Sequence, residues 1–154
     1  MPDTIMGEAN LTERRATSAG ISEKLVAERA EMLVLYCQTA GLEPFQKETD
    51  ERLARKHLQD FCQLLMDYIA AGHFGLYERI ANGNERRQGV AKLAEELYPR
   101  IAQTTEAAVA FNDKYESSDD CDIATSLGRD LSRLGEELAL RAELEDQLLR
   151  AMAR

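Results

Sequence analysis

The chain has 154 residues, of which 44% are hydrophobic, 31% charged and 6% aromatic, with no Trp. That length suits one domain with a sizeable core. Nineteen Lys and Arg against 28 Asp and Glu leave a net charge of −9, which argues against a nonspecific binder of nucleic acid or anionic membrane and favours a basic partner.

Residues 1–20 are polar without sustained periodicity and read as a mobile arm, with at most a short helix at Leu11-Thr12-Glu13-Arg14-Arg15. The opening Met1-Pro2-Asp3-Thr4-Ile5-Met6-Gly7-Glu8 has neither a basic start nor an apolar run, so no signal peptide is expected there. Residues 21–154 read as the folded domain. Ser22 is placed to cap a first long helix whose apolar face comprises Leu25, Met32, Leu33, Leu35 and Tyr36. Gly41 sits where a left-handed cap would end that helix, and Pro44 follows as a stop. A second long helix starts near Glu48 to Glu51 and buries Leu58, Phe61, Cys62, Leu65, Tyr68 and Ile69, at steps of one, three and four. Gly72 is expected to end it, with a brief helix over His73–Ile80 after a sharp turn and a loop at Asn82-Gly83-Asn84. Gln88 to Tyr115 is helical in pattern, with a break expected at Tyr98-Pro99. The polar run Glu116-Ser117-Ser118-Asp119-Asp120 supplies caps for a last helix, about Cys121 to Ala151, built on Leu127, Leu131, Leu134 and Leu138. No segment alternates cleanly with period two, and no repeat occurs. The expected fold is all-α: an antiparallel helical bundle with four principal helices and short additional ones.

Chemistry is harder to find. Neither His57 nor His73 belongs to a Glu-x-x-His or His-Glu-x-x-His pattern, so no metal site is expected. Cys37, Cys62 and Cys121 are odd in number and widely spaced, which points to a reducing cytoplasm. Cys62 falls among core residues and reads as a small buried hydrophobe. There is no phosphate-binding glycine loop, no apolar run of the roughly 20 residues needed to span a bilayer, and nothing that requires an enzyme or cofactor.

Two places stand out. Asp67-Tyr68 through Tyr77-Glu78 gathers three aromatics, a histidine and acids around glycines. Such a mixture can form a recognition surface, although Tyr68, Phe74 and Tyr77 would equally serve as core. In the last helix, the leucine spacing carries Arg141 and then Glu145 onto the apolar seam. Either the helix rotates there, or a charged pair lies beside the bundle interior.

Asp60-Phe61-Cys62, Asp67-Tyr68 and Ala71-Gly72-His73-Phe74 with Tyr77-Glu78 resemble the central signature of the regulator of sigma D (Rsd/AlgQ) family. Leu33-Val34 with Gly41 and Pro44, Tyr98-Pro99, and Gly135-Glu136, Leu138, Arg141 and Leu144-Glu145-Asp146 extend the resemblance from about Ile21 to Leu149. It implies a cytoplasmic anti-sigma factor that binds the C-terminal helix-turn-helix domain of the vegetative sigma factor. That would keep the sigma factor from core RNA polymerase and the promoter −35 element, without cofactor, metal or direct nucleic-acid contact. The matched polar and aromatic positions supply the expected partner contacts: Lys24, Arg29, Asp67, Tyr68, His73, Phe74, Glu78, Arg141, Glu145 and Asp146. One departure stands out: Glu23-Lys24-Leu25 replaces the family's Asp-Arg-Trp, so a bidentate guanidinium and an indole are missing. A helical adaptor regulating another cytoplasmic protein is the alternative, and self-association through a bundle face stays open.

Overall fold

The computed structural model describes residues 2–81, 88–116 and 120–153, and side chains at 20–78, 80, 89–116 and 126–153. The loop expected at Asn82-Gly83-Asn84, the capping run Ser117-Ser118-Asp119 and the Cys121 side chain lie outside the described residues. Every regular element among the described residues is helical: α1 (Pro2–Ala40), α2 (Glu51–Ala70), a π-helical segment (Ala71–Tyr77), α3 (Glu78–Ala81), α4 (Gln88–Glu116) and α5 (Asp120–Ala153). The four long helices expected from the periodicity are present. Helix α1 packs on α2, α2 on α4 and α4 on α5, and α5 returns to α1 to close a bundle.

Local signals explain most boundaries. Helix α1 ends in a Schellman motif, with Leu42 N–H donating to Cys37 O at 2.9 Å and Gly41 N–H to Gln38 O at 3.3 Å. Gly41 has φ 71°, and a Cβ there would lie 2.9 Å from the Lys47 backbone, so only glycine suits the position. Asp50 caps α2, accepting from the backbone N–H groups of Arg52 at 2.9 Å and Leu53 at 3.4 Å.

Four expectations need correction. Helix α1 begins at Pro2 rather than at Ser22. Helix α2 does not stop at Gly72; the chain continues into the π-helical segment with no sharp turn. Helix α4 runs through Pro99 without a break. Pro99 and Glu95, whose carbonyl loses the N–H that proline lacks, are both exposed, so water can satisfy that carbonyl while packing on α2 and α5 holds the helix. Leu33 is 37% exposed. The inner line of α1 is Leu25, Arg29, Met32 and Tyr36, and Leu33 falls about 100° round from Met32.

The core joins Leu25 and Met32 of α1, Leu58, Phe61 and Leu65 of α2, Ile101, Ala108 and Phe111 of α4, and Leu131, Leu134, Leu138 and Leu148 of α5. An edge-to-face aromatic run crosses it, with Tyr36 5.8 Å from Phe61 and Phe61 5.8 Å from Phe111 between ring centres. At one end of α4, Tyr115 donates to Asp130 at 2.5 Å and Lys114 pairs with the same carboxylate at 2.6 Å, tying α4 to α5.

Candidate functional site

The largest fully buried side chain is not a leucine but Arg141, and Glu145, one helical turn on, is equally buried. Arg141 Nε donates to Glu145 Oε2 at 3.1 Å, while Nη1 donates to Thr105 Oγ1 at 2.7 Å and Thr104 Oγ1 at 3.2 Å. The other Glu145 oxygen, Oε1, accepts from the Tyr68 hydroxyl and, at 3.3 Å, from Arg29 Nη1. Tyr77 donates to Oε2 at 3.3 Å. Arg29 closes the outer side by donating Nη2 to Asp146 Oδ1 at 2.8 Å. Two guanidiniums thus face two carboxylates, so the network carries no net charge, and Glu145 takes hydrogen bonds from four donors. Of the two readings open for Arg141 and Glu145, the structure selects the pair inside the bundle.

Electrostatics follow from that burial. Desolvation, and then the Glu145 charge, push the Tyr68 and Tyr77 hydroxyls far above the ordinary tyrosine range, so both stay protonated and donate. Burial is the largest single influence on Arg29 and works against its charge, but the hydrogen bond to Asp146 and the charges of Asp146 and Glu145 together outweigh it and hold the proton more firmly than usual. Arg141 Nη2 has no hydrogen-bond partner. Its guanidinium carbon lies 5.4 Å from the Tyr68 ring centre and 5.6 Å from that of Tyr77, a pair of cation–π contacts that offset part of the loss. Gly72 makes this arrangement possible, because a Cβ there would stand 2.9 Å from Nη2 and 3.3 Å from the Tyr77 ring.

The expected contact residues therefore fall into two layers. Tyr68, Arg141 and Glu145 are wholly inside, and Arg29 and Asp146 lie between inside and surface. Lys24, Asp67, His73, Phe74 and Glu78 are exposed. Phe74, on the π-helical segment, is 67% exposed, the most of any large hydrophobic among the described residues. It borders a groove of about 500 Å³ between α1 and the α2–π junction, which Leu25, Ala70 and Ala71 also line and where Lys24, Glu28 and Asp67 place charges. Leu25, the last residue of the Glu23-Lys24-Leu25 segment, is 1% exposed and belongs to the lining of this groove rather than protruding from it.

The sequence reading missed Tyr77, Gly72, Thr104 and Thr105 as partners of the buried pair. A signal existed for Thr104: it falls on the line Ile101, Thr104, Ala108, Phe111 that α4 buries, a polar residue on an apolar seam just as Arg141 is. Among the described residues, no group of three or more His, Cys, Asp or Glu is placed to hold a metal, and no helix is long and apolar enough to cross a membrane.

A buried, charge-balanced network joins α1, α2, the π-helical segment, α4 and α5 beneath exposed Phe74, Asp67 and Glu78. The model of the family described as "Regulator of RNA polymerase sigma(70) subunit, Rsd/AlgQ" matches residues 6–153. Proteins named regulator of sigma D are similar over most of their length. The one from Yersinia pseudotuberculosis is 36% identical over 142 residues, covering 91% of this chain and 83% of the relative. The one from Shigella boydii is 37% identical over 141 residues, covering 91% and 88%. The chain belongs to the Rsd/AlgQ family.

Proposed function

We propose that the protein is an anti-sigma factor of the cytoplasm. It binds the C-terminal helix-turn-helix domain of the vegetative sigma factor and thereby withholds that factor from core RNA polymerase and from the −35 element. Family membership supports regulation of a sigma factor. The observation that carries the rest is Phe74: a large aromatic ring 67% exposed beside exposed Asp67 and Glu78, on a chain of net charge −9. A DNA-reading domain is basic, so an acidic face with an apolar anchor complements it. In this reading Lys24, Asp67, His73, Phe74 and Glu78 touch the partner. Arg29 and Asp146 border the contact, while Tyr68, Arg141 and Glu145 support it from within. Residues 21–154 form the binding bundle and residues 1–20 an arm beyond it.

Calorimetric titration with the isolated sigma C-terminal domain at two salt concentrations, with size exclusion of the mixture, tests this. Micromolar binding or tighter, weakened by salt, is expected. Phe74→Ala should weaken it by about 2 kcal/mol with helicity unchanged. Silence in both assays would end the assignment. The changed Glu23-Lys24-Leu25 segment would then favour the second reading, a helical adaptor for another cytoplasmic protein.

A further inference from the structure

Tyr68 and Tyr77 are nine residues apart. At about 100° per residue, a regular α-helix would place them on opposite sides of its axis. Yet their hydroxyls reach the two oxygens of one carboxylate, Glu145. The π-helical segment Ala71–Tyr77 reconciles this. At its end, Glu78 N–H donates to His73 O, five residues back, and such wide turns rotate less per residue, bringing Tyr77 round to the buried side. Phe74 lies in the middle of the same wide turns, so the register that carries Tyr77 inward also sets where Phe74 stands outward. Gly72 fixes the inner wall, since any Cβ there would press on Arg141 Nη2. Single π-turns within α-helices are often found at functional sites.

We propose that Tyr77 is the positioning residue of the partner-binding face. Its hydroxyl, held by Glu145 and backed by Arg141, locks the π-helical register of Ala71–Tyr77, and that register presents Phe74 to the partner. The consequence for binding rests on the sigma-factor reading; the lock itself does not.

The test is Tyr77→Phe in the full chain, which keeps the ring and removes only the hydroxyl. Exchange of the Glu78 amide should accelerate about tenfold, the loss expected for one buried hydrogen bond, while amides in α4 and α5 keep their protection. Affinity for the sigma C-terminal domain should fall several-fold, and Phe74→Ala should then cost less than it does in the parent chain. Gly72→Ala should loosen the same amides, and this effect should shrink beside Arg141→Lys, which removes the crowding Nη2. Unchanged Glu78 exchange, or equal loosening of every helix, would overturn the lock. Faster Glu78 exchange with unaltered affinity would overturn the positioning role. If the parent chain does not bind the sigma domain at all, the sigma-factor reading fails, and the exchange data still decide the lock.

Discussion

Glu145→Gln removes one charge from the interior while keeping volume and shape. Glu145 is fully buried and receives Arg141, Arg29, Tyr68 and Tyr77. After the substitution Arg141 has no carboxylate, and the two guanidiniums share only Asp146, which is bonded to Arg29. Removing one member of a buried pair costs about 3–5 kcal/mol, because the other is left charged and uncompensated. The glutamine carbonyl still accepts from part of the former set, each bond worth about 1 kcal/mol, which places the expected loss near about 3 kcal/mol. Against a total of about 5–15 kcal/mol for a natural domain, such a variant folds but is visibly weakened. Urea unfolding followed by helical circular dichroism should show a lower midpoint with an unchanged slope. Asp146→Asn is the comparison: Asp146 is 46% exposed, so its loss should cost only about 1 kcal/mol or less. Adding Arg141→Met to Glu145→Gln should cost less than the two separate losses combined, since no lone interior charge then remains. If Glu145→Gln loses under about 1 kcal/mol, its negative charge is not what balances Arg141, and the reasoning fails.

Gly135→Ala should be destabilising by about 1–3 kcal/mol despite alanine's better helix propensity, because the new Cβ would displace the Tyr36 hydroxyl from Leu131 O, which it reaches at 2.7 Å. Thermal melts of Gly135→Ala with and without Tyr36→Phe check this; an equal penalty in both backgrounds would refute the clash. The Tyr68 and Tyr77 hydroxyls are raised above their ordinary value of 10.0, so the stability they confer is complete below pH 10 and declines as pH rises beyond it. Unfolding free energy measured from pH 9 to 11 should therefore fall less steeply for Tyr77→Phe than for the parent, and parallel curves would count against it. Burial, aided by the charge of Glu116, pushes the Cys62 thiol up to about 11. In a Cys37→Ser/Cys121→Ser variant at pH 8, a thiol reagent should label Cys62 only as fast as the chain opens.

The bundle was legible because burial repeats along the sequence at helical spacing. Leu58, Phe61, Leu65 and Tyr68 need no more than the 3.6-residue period to be placed inside. Gly41 and Asp50 likewise mark their helix ends by backbone and side-chain chemistry that acts locally. What escaped was decided by contacts between distant segments. The π-helical segment looks like a helix stop because Gly72 is a breaker by composition; its real reason is Arg141, 69 residues further along the chain. Pro99 looks like a break because local rules cannot know that its side of α4 faces water. In the site, Phe74 is an aromatic exposed against the usual preference of its side chain, and Arg141 a cation buried against its own. Each sits where composition alone would put the other, so sequence could point to the region but not sort its layers.

That sorting divides the proposed binding energy in a way kinetics can separate. Arg29 and Arg141 are balanced by Glu145 and Asp146, so the network contributes nothing to the net charge of −9, which acts through the remaining groups. Unpaired surface charge draws a basic partner from a distance and is screened beyond about 8 Å at physiological salt, so it governs how fast a complex forms. Phe74 acts only on contact, so it governs how long the complex lasts. Under the sigma-factor reading, raising salt should therefore slow association of the parent chain and of Phe74→Ala by the same factor, while Phe74→Ala alone should hasten dissociation about thirtyfold, the equivalent of about 2 kcal/mol. A Phe74→Ala variant that associates and dissociates at the parent rates would place the ring outside the contact and leave charge as the attraction this face provides.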